Sequence, residues 1–363
     1  MQWTPRNGAA VSELRVELPH FQRMSAQPRL PNEAPRRVAV VGADTLGASW
    51  TALFLAQGLE VIVTDPDALA EARLRHYIDE AWRALKVLGV SSHGSPEHLT
   101  FTSDLARAVS RARYIQECTP SGPGKRAVIE QLDALTPAEV IIASSSANTS
   151  MSVLQARCAQ PHRCVLAEAC NPPHLMPLVE VVGGQLTSAQ TIERAMRFYA
   201  SIGRKPIHVR KEIPGNVANR LQAALYREMA HLIDQDVLDV RDADAAVCWG
   251  PGLRWGVMGP ALLCELGAPA GGVHHLLEHL SGPMTALWAD LGSPELTPPL
   301  RHRIVEGIRS EIGDRSREQL AQERDGLLIG LLRLRARLSR QPGRTSRVSR
   351  RRARAKGKRT EGP

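Results

Sequence analysis

Two glutamates, Glu168 and Glu180, have side chains that could do chemistry together. They stand in the stretch VLAEACNPPHLMPLVEVVGG, residues 165–184. Two carboxyls at close range do not both ionise easily, so such a pair titrates jointly and one apparent pKa is raised. A protonated carboxyl beside an ionised one provides a general acid and a general base. The pair could therefore transfer protons at neutral pH, provided that the fold brings the side chains together.

A glycine loop is the second candidate site. Dinucleotide-binding folds place G-x-G-x-x-G between the first strand and its helix, whose N-terminus holds the pyrophosphate. Here the segment reads G-A-D-T-L-G, with Gly42 and Gly47 in register and Asp44 in place of the second glycine. A second negative charge about 4 Å from a phosphate costs about 1 kcal/mol in water and about 4 at an effective dielectric of 20. We therefore expect a vestigial cofactor loop.

Asp65 follows the next apolar run, where dinucleotide-binding folds keep the acid that binds the ribose. Its position suggests descent from a protein that preferred NAD to NADP. The alternative is that Asp65 is only the turn residue of the sequence DPD. We assign Asp65 to the vestigial cofactor site together with the glycine loop.

The elements that must position these residues alternate between strands and helices. Short apolar runs such as RRVAVVG (36–42) and LEVIVTDPD (59–67) are typical of buried strands, and TLGASWTALFLAQG between them has helical periodicity. This alternation predicts a parallel sheet with helices on both faces. From Gly215 to about Leu338 the patterns become helical.

The fold class expected from these patterns is α/β, with an N-terminal Rossmann-like doubly wound parallel sheet and a C-terminal all-helical dimerisation domain. We place the first domain at residues 36–212 and the second at 213–339. Residues 1–35 are expected to be a flexible extension. Residues 340–363 are expected to be a basic disordered tail, because they lack apolar periodicity.

The net charge of +9 comes from one end of the chain. Residues 341–363 hold nine of the 46 Lys and Arg and one of the 37 Asp and Glu, which leaves the rest of the chain near neutrality. We therefore expect no nucleic-acid partner. The six cysteines show no CxxC or Cys/His zinc spacing, so we expect reduced thiols, no metal site and a cytoplasmic location. No apolar window is long enough for a membrane span.

Four segments resemble the 3-hydroxyacyl-CoA dehydrogenase family, and most closely its L-carnitine dehydrogenase and lambda-crystallin-like branch. They are NPPHLMPLVEVVGG (171–184), HVRKEIPGNVANRLQAALYREMAHL (208–232), GPGLRWGVMGP (250–260) and PELTPPLRHRIVEGI (294–308). With the strand–helix pattern, the resemblance covers about residues 36–335. It implies the same two-domain architecture and a homodimer formed through the helical domain.

The resemblance also implies roles for catalytic residues. In the family a His removes the proton of the substrate hydroxyl, a Glu orients that His, and a Ser and an Asn hold the substrate oxygen. The matching Glu is Glu180 and the matching Asn is Asn219. Glu168 occupies the His position, so this sequence has no catalytic His there. We therefore name Glu168, Glu180 and Asn219 as candidate catalytic residues.

Candidate substrate-binding residues are Ser146, Ser150, His174, Arg254 and Trp255. The family Ser position falls on Ala147, and a small shift of the match would place Ser146 or Ser150 there. Arg254 and Trp255 belong to a turn that faces the cleft in the family, with interdomain packing as the alternative. His174 lies close to the glutamate pair in sequence and could instead simply pair with Glu168.

These departures lead us to expect chemistry other than hydride transfer. In the family geometry Glu168 and Glu180 share a cleft, which predicts a cofactor-independent, lyase- or cyclase-like enzyme. It would dehydrate a hydroxy-carbonyl substrate or promote conjugate addition and cyclisation, in specialised metabolism. The alternative is an NAD-dependent 3-hydroxyacyl-CoA or L-carnitine-type dehydrogenase. A second alternative is a non-catalytic pseudoenzyme.

Overall fold

The computed structural model describes residues 35–268 and 272–340. It confirms the expected fold class, because a mostly parallel sheet with helices is followed by a region of helices alone. The strands are β1 (Arg37–Val41), β2 (Glu60–Thr64), β3 (Leu99–Thr102), β4 (Tyr114–Glu117), β5 (Ile141–Ser144), β6 (Cys164–Ala169), β7 (Leu178–Gly183) and β8 (Lys205–Val209).

These eight strands form one sheet in the order β3-β2-β1-β4-β5-β6-β7-β8. Neighbouring strands from β3 to β6 run parallel, and β7 and β8 are parallel to each other. β6 and β7 are antiparallel, so the direction of the sheet reverses between them. The carboxyl end of β6 therefore lies beside the amino-terminal half of β7.

The helices of the sheet domain are α1 (Thr45–Ala56), α2 (Ala70–Leu88), α3 (Leu105–Val109), α4 (Pro123–Leu135), α5 (Met151–Leu154) and α6 (Ala189–Ser201). They cover both faces, which explains why β1, RVAVV, and β5, IIAS, are almost continuously buried. One apolar cluster includes Val40, Leu53 and Phe54, and the cluster on the other face includes Ala39, Ile115 and Ile142.

The helical region contains α7 (Ala218–Asp234), α8 (Val240–Trp249), α9 (Pro251–Trp255), α10 (Pro260–Gly267), α11 (Gly272–Asp290), α12 (Pro298–Ile312) and α13 (Arg317–Arg340). Its buried core is small, and consists of Ala230, Ile233, Val240, Ala243, Leu300 and Ile304. The expected domain boundary at residue 212 falls between the end of β8 and the start of α7. A larger core would require burial of surface that is exposed in the single chain.

The described chain up to Ile329 belongs to one compact unit, and Gly330 begins a second unit that is described by itself as the last part of α13. The expected N-terminal extension, up to residue 34, and the basic tail, from residue 341, lie outside the described residues. None of the described helices combines the length and the apolar character that a membrane crossing requires.

Candidate active site

Glu168 and Glu180 lie directly opposite each other on the antiparallel strands β6 and β7. Directly opposed residues in such a pair have Cβ atoms about 4.5–5.5 Å apart and point to the same face of the sheet. Ala167 and Ala169 point to the opposite face, into the cluster that packs α1. The two carboxyls that the sequence singled out are therefore neighbours.

Glu180 is held by the N-terminus of α7. Its carboxylate is 2% exposed, and its Oε1 accepts hydrogen bonds from the backbone N–H groups of Val217 (2.7 Å) and Ala218 (3.2 Å). The first N–H groups of a helix lack partners within the helix and favour a negative charge. Glu180 therefore ties β7 to the first helix of the helical domain.

Glu168 has a different environment. Its Oε2 is buried and has no hydrogen-bond partner within the described part of the chain. Burial raises the pKa of Glu168 to about 7, the neighbouring carboxylate of Glu180 adds to this increase, and the ammonium of Lys125 opposes it. The pair thus combines a carboxyl held by backbone N–H groups with one that changes charge near neutral pH.

A buried ion pair between Glu117 and Lys125 lies near Glu168, and the sequence analysis missed it. Both side chains are fully buried, with Lys125 Nζ 2.8 Å from Glu117 Oε2. Ser144 Oγ donates to the same Oε2 at 2.5 Å, and Lys125 Nζ donates to the carbonyl oxygen of Thr119 at 2.7 Å. A charged residue ending the buried strand YIQE was the available signal.

A cavity of about 560 Å³ opens on the same face of the sheet as the glutamate pair. Leu166 lines it and lies two residues before Glu168 in β6, so their side chains share this face. The remaining lining comes from the β5–α5 segment, from Gln185 and from residues 212–216. The cavity is therefore bounded by the sheet domain and by the segment that leads into α7.

Ser146 and Ser150 both line this cavity, and both side chains make local hydrogen bonds. Ser146 Oγ accepts from the N–H of Thr149 at 3.2 Å, and Ser150 Oγ caps α5 by accepting from the N–H of Val153 at 3.4 Å. Each hydroxyl still has its proton to donate. The structure thus places these two candidate substrate-binding residues at one cavity.

Glu212 also lines the cavity and was missed by the sequence analysis. Its Oε1 accepts from the N–H of Ser152 at 2.8 Å, and its Oε2 accepts from the hydroxyl of Ser152. Glu212 sits in the linker KEIPG, and a linker acid carries no periodic signal that would mark it. Glu212 therefore places a carboxyl group in the lining of the cavity.

The glycine loop after β1 has the tight shape of a dinucleotide cradle. Gly42 has φ +93°, and a Cβ there would lie 3.0 Å from the carbonyl carbon of Cys118. A Cβ on Gly47 would lie 1.9 Å from the carbonyl oxygen of Gly42. Asp65 closes the loop, because its Oδ2 accepts from the N–H of Ala43 at 2.9 Å. The loop therefore fits the backbone requirements of a bound dinucleotide.

Asp44 is the N-cap residue of α1, with φ −65° and an exposed side chain that makes no capping hydrogen bond. This φ is open to any residue, so Asp44 causes no backbone strain. Because the carboxylate faces solvent, its repulsion of a phosphate lies nearer the aqueous value of about 1 kcal/mol than the buried one. The loop keeps its cradle despite the substitution.

Not all of the other candidate residues lie near the pair formed by Glu168 and Glu180. His174 is buried against α1, where its Nδ1 lies 2.8 Å from Ser49 Oγ, on the face of the sheet opposite Glu168. Burial lowers the pKa of His174 to about 4, so this neutral ring neither pairs with Glu168 nor reaches the cavity. The expected substrate role of His174 therefore lacks the required geometry.

Asn219 lies in the first turn of α7, one residue after Ala218, and its side chain is exposed. Arg254 and Trp255 lie in α9 and are exposed in the single chain, away from the cavity lining.

Within the described ranges, no group of three or more His, Cys, Asp or Glu side chains could hold a metal ion.

Comparison with known proteins identifies the family. The profile "3-hydroxyacyl-CoA dehydrogenase, NAD binding domain" matches residues 37–213, and "3-hydroxyacyl-CoA dehydrogenase, C-terminal domain" matches residues 215–292. The L-carnitine dehydrogenase of Bacillus cereus is 41% identical over 82% of this chain and 92% of its own. That of Streptomyces griseus is 42% identical over 87% of this chain and 94% of its own.

A solved structure is also similar over most of its length. It is 5-formyl-3-hydroxy-2-methylpyridine 4-carboxylic acid 5-dehydrogenase, an NAD+-dependent dismutase, with a TM-score of 0.71 and 29% identity over 85% of this chain and 99% of its own. These findings overturn the expected cofactor-independent lyase or cyclase, and they support the alternative, an NAD-dependent oxidoreductase. The expectation was wrong because it inferred lost hydride transfer from the residue types at Asp44, at Glu168 and at the family Ser position, which falls on Ala147. The chain belongs to the 3-hydroxyacyl-CoA dehydrogenase family, in its L-carnitine dehydrogenase branch.

Proposed function

We propose that this protein is an NAD-dependent dehydrogenase of the L-carnitine type. It oxidises the 3-hydroxyl group of a short hydroxy carboxylate that carries a quaternary ammonium group. The observation that supports this most strongly is the 41–42% identity to L-carnitine dehydrogenases over more than four fifths of both chains. Similarity of this extent covers both domains, and hence the cleft that they bound.

NAD is held, in this proposal, by the loop from Gly42 to Gly47 and by Asp65. The glycines give the backbone the close approach that a pyrophosphate needs, and the N-terminus of α1 favours its charge. Asp65 stands at the end of β2, where an acid binds the ribose hydroxyls. When bound, the nicotinamide supplies the hydride acceptor.

The substrate is assigned to the cavity beside the glutamate pair. Ser146 and Ser150 offer hydroxyl protons to a carboxylate or a hydroxyl oxygen. Glu168, Glu180 and Glu212 make this region acidic, which favours a substrate with a positive charge. Asn219 lies at the start of α7, beside the backbone that holds Glu180, and is assigned to hold the substrate oxygen.

The proposed assembly is a homodimer through the helical domain. Large apolar side chains are exposed there in the single chain, among them Trp249, Leu253, Trp255, Leu287 and Trp288. An exposed apolar surface of this kind marks an interaction site. A second subunit would cover this surface, and it would bring Arg254 and Trp255 into a packed environment.

The test is a nucleotide titration followed by a substrate panel. We expect NADH to bind in the micromolar range by calorimetry, and L-carnitine to reduce NAD+ in a spectrophotometric assay. D-carnitine is the stereochemical control, and 3-hydroxybutyryl-CoA tests the thioester alternative within the family. Turnover of the thioester alone would overturn the proposed substrate, and failure of NADH to bind would overturn the proposed activity.

A further inference from the structure

We propose that Glu168 is the catalytic proton acceptor of this enzyme, at the position where the family uses histidine, and that Glu180 is its positioning residue. The inference deepens the proposed dehydrogenase function and rests on it. The two carboxyls differ in their hydrogen-bond partners, in the charges around them and in their accessibility. Each of these points to Glu168 rather than to Glu180 as the side chain that takes the proton.

The hydrogen bonds separate the roles of the two carboxyls. Glu180 receives backbone N–H groups on both oxygens, with Ala218 N lying 3.2 Å from Oε1 and 3.3 Å from Oε2. Accepting a substrate proton there would weaken the contact with α7. Glu168 has a buried oxygen, Oε2, with no partner among the described residues. Such an oxygen is costly unless a ligand or a proton satisfies it.

Glu168 lies on the same face of the sheet as the cavity. It is the last residue but one of β6, and it shares a face of the sheet with Leu166, which lines the cavity. Its side chain is partly exposed, whereas Glu180 is 2% exposed. Neither carboxyl is part of the cavity lining itself, and Glu168 is the more accessible of the two.

The charges around Glu168 set its basicity. Groups that bear on this region from the packed elements are Glu180 on β7, Lys125 on α4, Glu117 on β4, Cys118 and Cys170. Lys125 is already paired with Glu117, so its opposing effect is partly neutralised. Burial and Glu180 hold the pKa of Glu168 at about 7, in the range of a histidine. A carboxylate with this pKa is a far better base near neutral pH than an ordinary glutamate.

The proton step balances with an NAD-type oxidant. Ionised Glu168 takes the proton of the 3-hydroxyl, and the O–H electron pair becomes the second bond of the new carbonyl. The C3–H bond would break at the same time, and its electron pair would leave as hydride to an NAD-type acceptor, which the loop from Gly42 to Gly47 and Asp65 would hold. Glu168 ends protonated and returns its proton to water. The products are the ketone, the reduced cofactor and one proton.

Three substitutions test the assignment. Glu168→Gln should lower kcat by about 10²- to 10⁴-fold, as expected for a lost general base, while the Kd for NADH stays unchanged. Glu168→His should restore most of the lost rate, because imidazole can take the same proton. Exposed Glu97 supplies a matched control, and Glu97→Gln should keep the parent kcat.

The pH profile separates catalysis from positioning. In the parent enzyme kcat should rise with pH through about 7, because the ionised form of Glu168 is the base. Glu180→Gln removes a neighbouring negative charge, so the same rise should shift to lower pH. Glu168→Gln should abolish the rise. An unshifted profile in Glu180→Gln would exclude the positioning role.

A measurement without turnover completes the test. Infrared difference spectra of the full-length enzyme should show a protonated carboxyl band that disappears near pH 7 and is missing in Glu168→Gln. If the parent oxidises its substrate but Glu168→Gln keeps its kcat within about threefold, the assignment is overturned and the proposed function stands. If the parent binds NADH but oxidises no hydroxy acid, the proposed function itself fails.

Discussion

At the scale of single residues, Asp44 and Glu168 change the charge of their sites without straining the backbone. Asp44 keeps a φ of −65° that any residue adopts, and Glu168 occupies a regular strand position. The two carboxyl groups differ in their exposure to solvent. Asp44 is exposed and its charge is screened, whereas Glu168 has a buried oxygen and a raised pKa. Similar acidic substitutions therefore have unlike consequences.

Replacing Asp44 should tighten cofactor binding modestly. Asp44→Gly removes a charge and a side chain at the N-terminus of α1, and we expect the Kd for NADH to fall by about tenfold, corresponding to about 1.4 kcal/mol. Calorimetry at low and high salt checks this, because screening should shrink the difference. Asp79→Asn, an equal charge change on exposed α2, should leave the Kd unchanged.

Glu168 should also make stability depend on pH. Its folded-state pKa of about 7 lies above the ordinary value of 4.5, so the native state holds the extra proton between these values. The free energy of unfolding should therefore fall as pH rises from about 4.5 to about 7, by about 3 kcal/mol. Urea unfolding at pH 5 and pH 8 should show this loss in the parent and a smaller one in Glu168→Gln. An equal loss in both would contradict it.

At the scale of elements, the reversal between β6 and β7 creates the site. Because the strands are antiparallel, Glu168 near the end of one strand faces Glu180 in the first half of the next. The strand and helix pattern was readable from apolar periodicity, and the fold class followed from it. The partner of Glu180 was not readable, because the contact with Val217 joins residues that have no shared pattern.

A substitution at Gly47 tests whether nucleotide binding depends on the close approach of α1 to the loop after β1. A Cβ there would lie 1.9 Å from the carbonyl oxygen of Gly42, so Gly47→Ala must push α1 away from β1. We expect NADH binding to weaken by at least tenfold and the Tm to fall. Gly124→Ala is the control, because a Cβ at this helical position meets nothing within 4 Å, and it should leave both quantities unchanged.

Other parts of the site could not be predicted from the sequence for physical reasons. Lys125 and Glu117 look like ordinary surface charges in a one-dimensional pattern, yet each is buried because the other neutralises it. The expected loss of hydride transfer failed for a related reason. That expectation considered only the residue types of Asp44 and Glu168, whereas exposure and neighbouring groups determine the pKa of a carboxyl and the effect of its charge.

At the scale of the whole molecule, the helical region has more apolar side chains than its own core can bury. Trp288 is 63% exposed on α11, and we expect it to lie in a subunit interface. Trp288→Asp should shift the sedimentation coefficient from that of a dimer to that of a monomer. Leu69→Asp, at a 67% exposed position on the sheet domain, is the matched control and should remain dimeric. A parent that sediments as a monomer would exclude the homodimer.

The contact between Glu180 and α7 gives the two domains a built-in spectroscopic reporter. The amide protons of Val217 and Ala218 point at a carboxylate rather than at water or a helical carbonyl. Their hydrogen-exchange rates and chemical shifts therefore report the state of the cleft from the backbone of a different domain. Substrate binding, cofactor binding and protonation of Glu168 could each be followed at these two amides, without a label on any catalytic side chain.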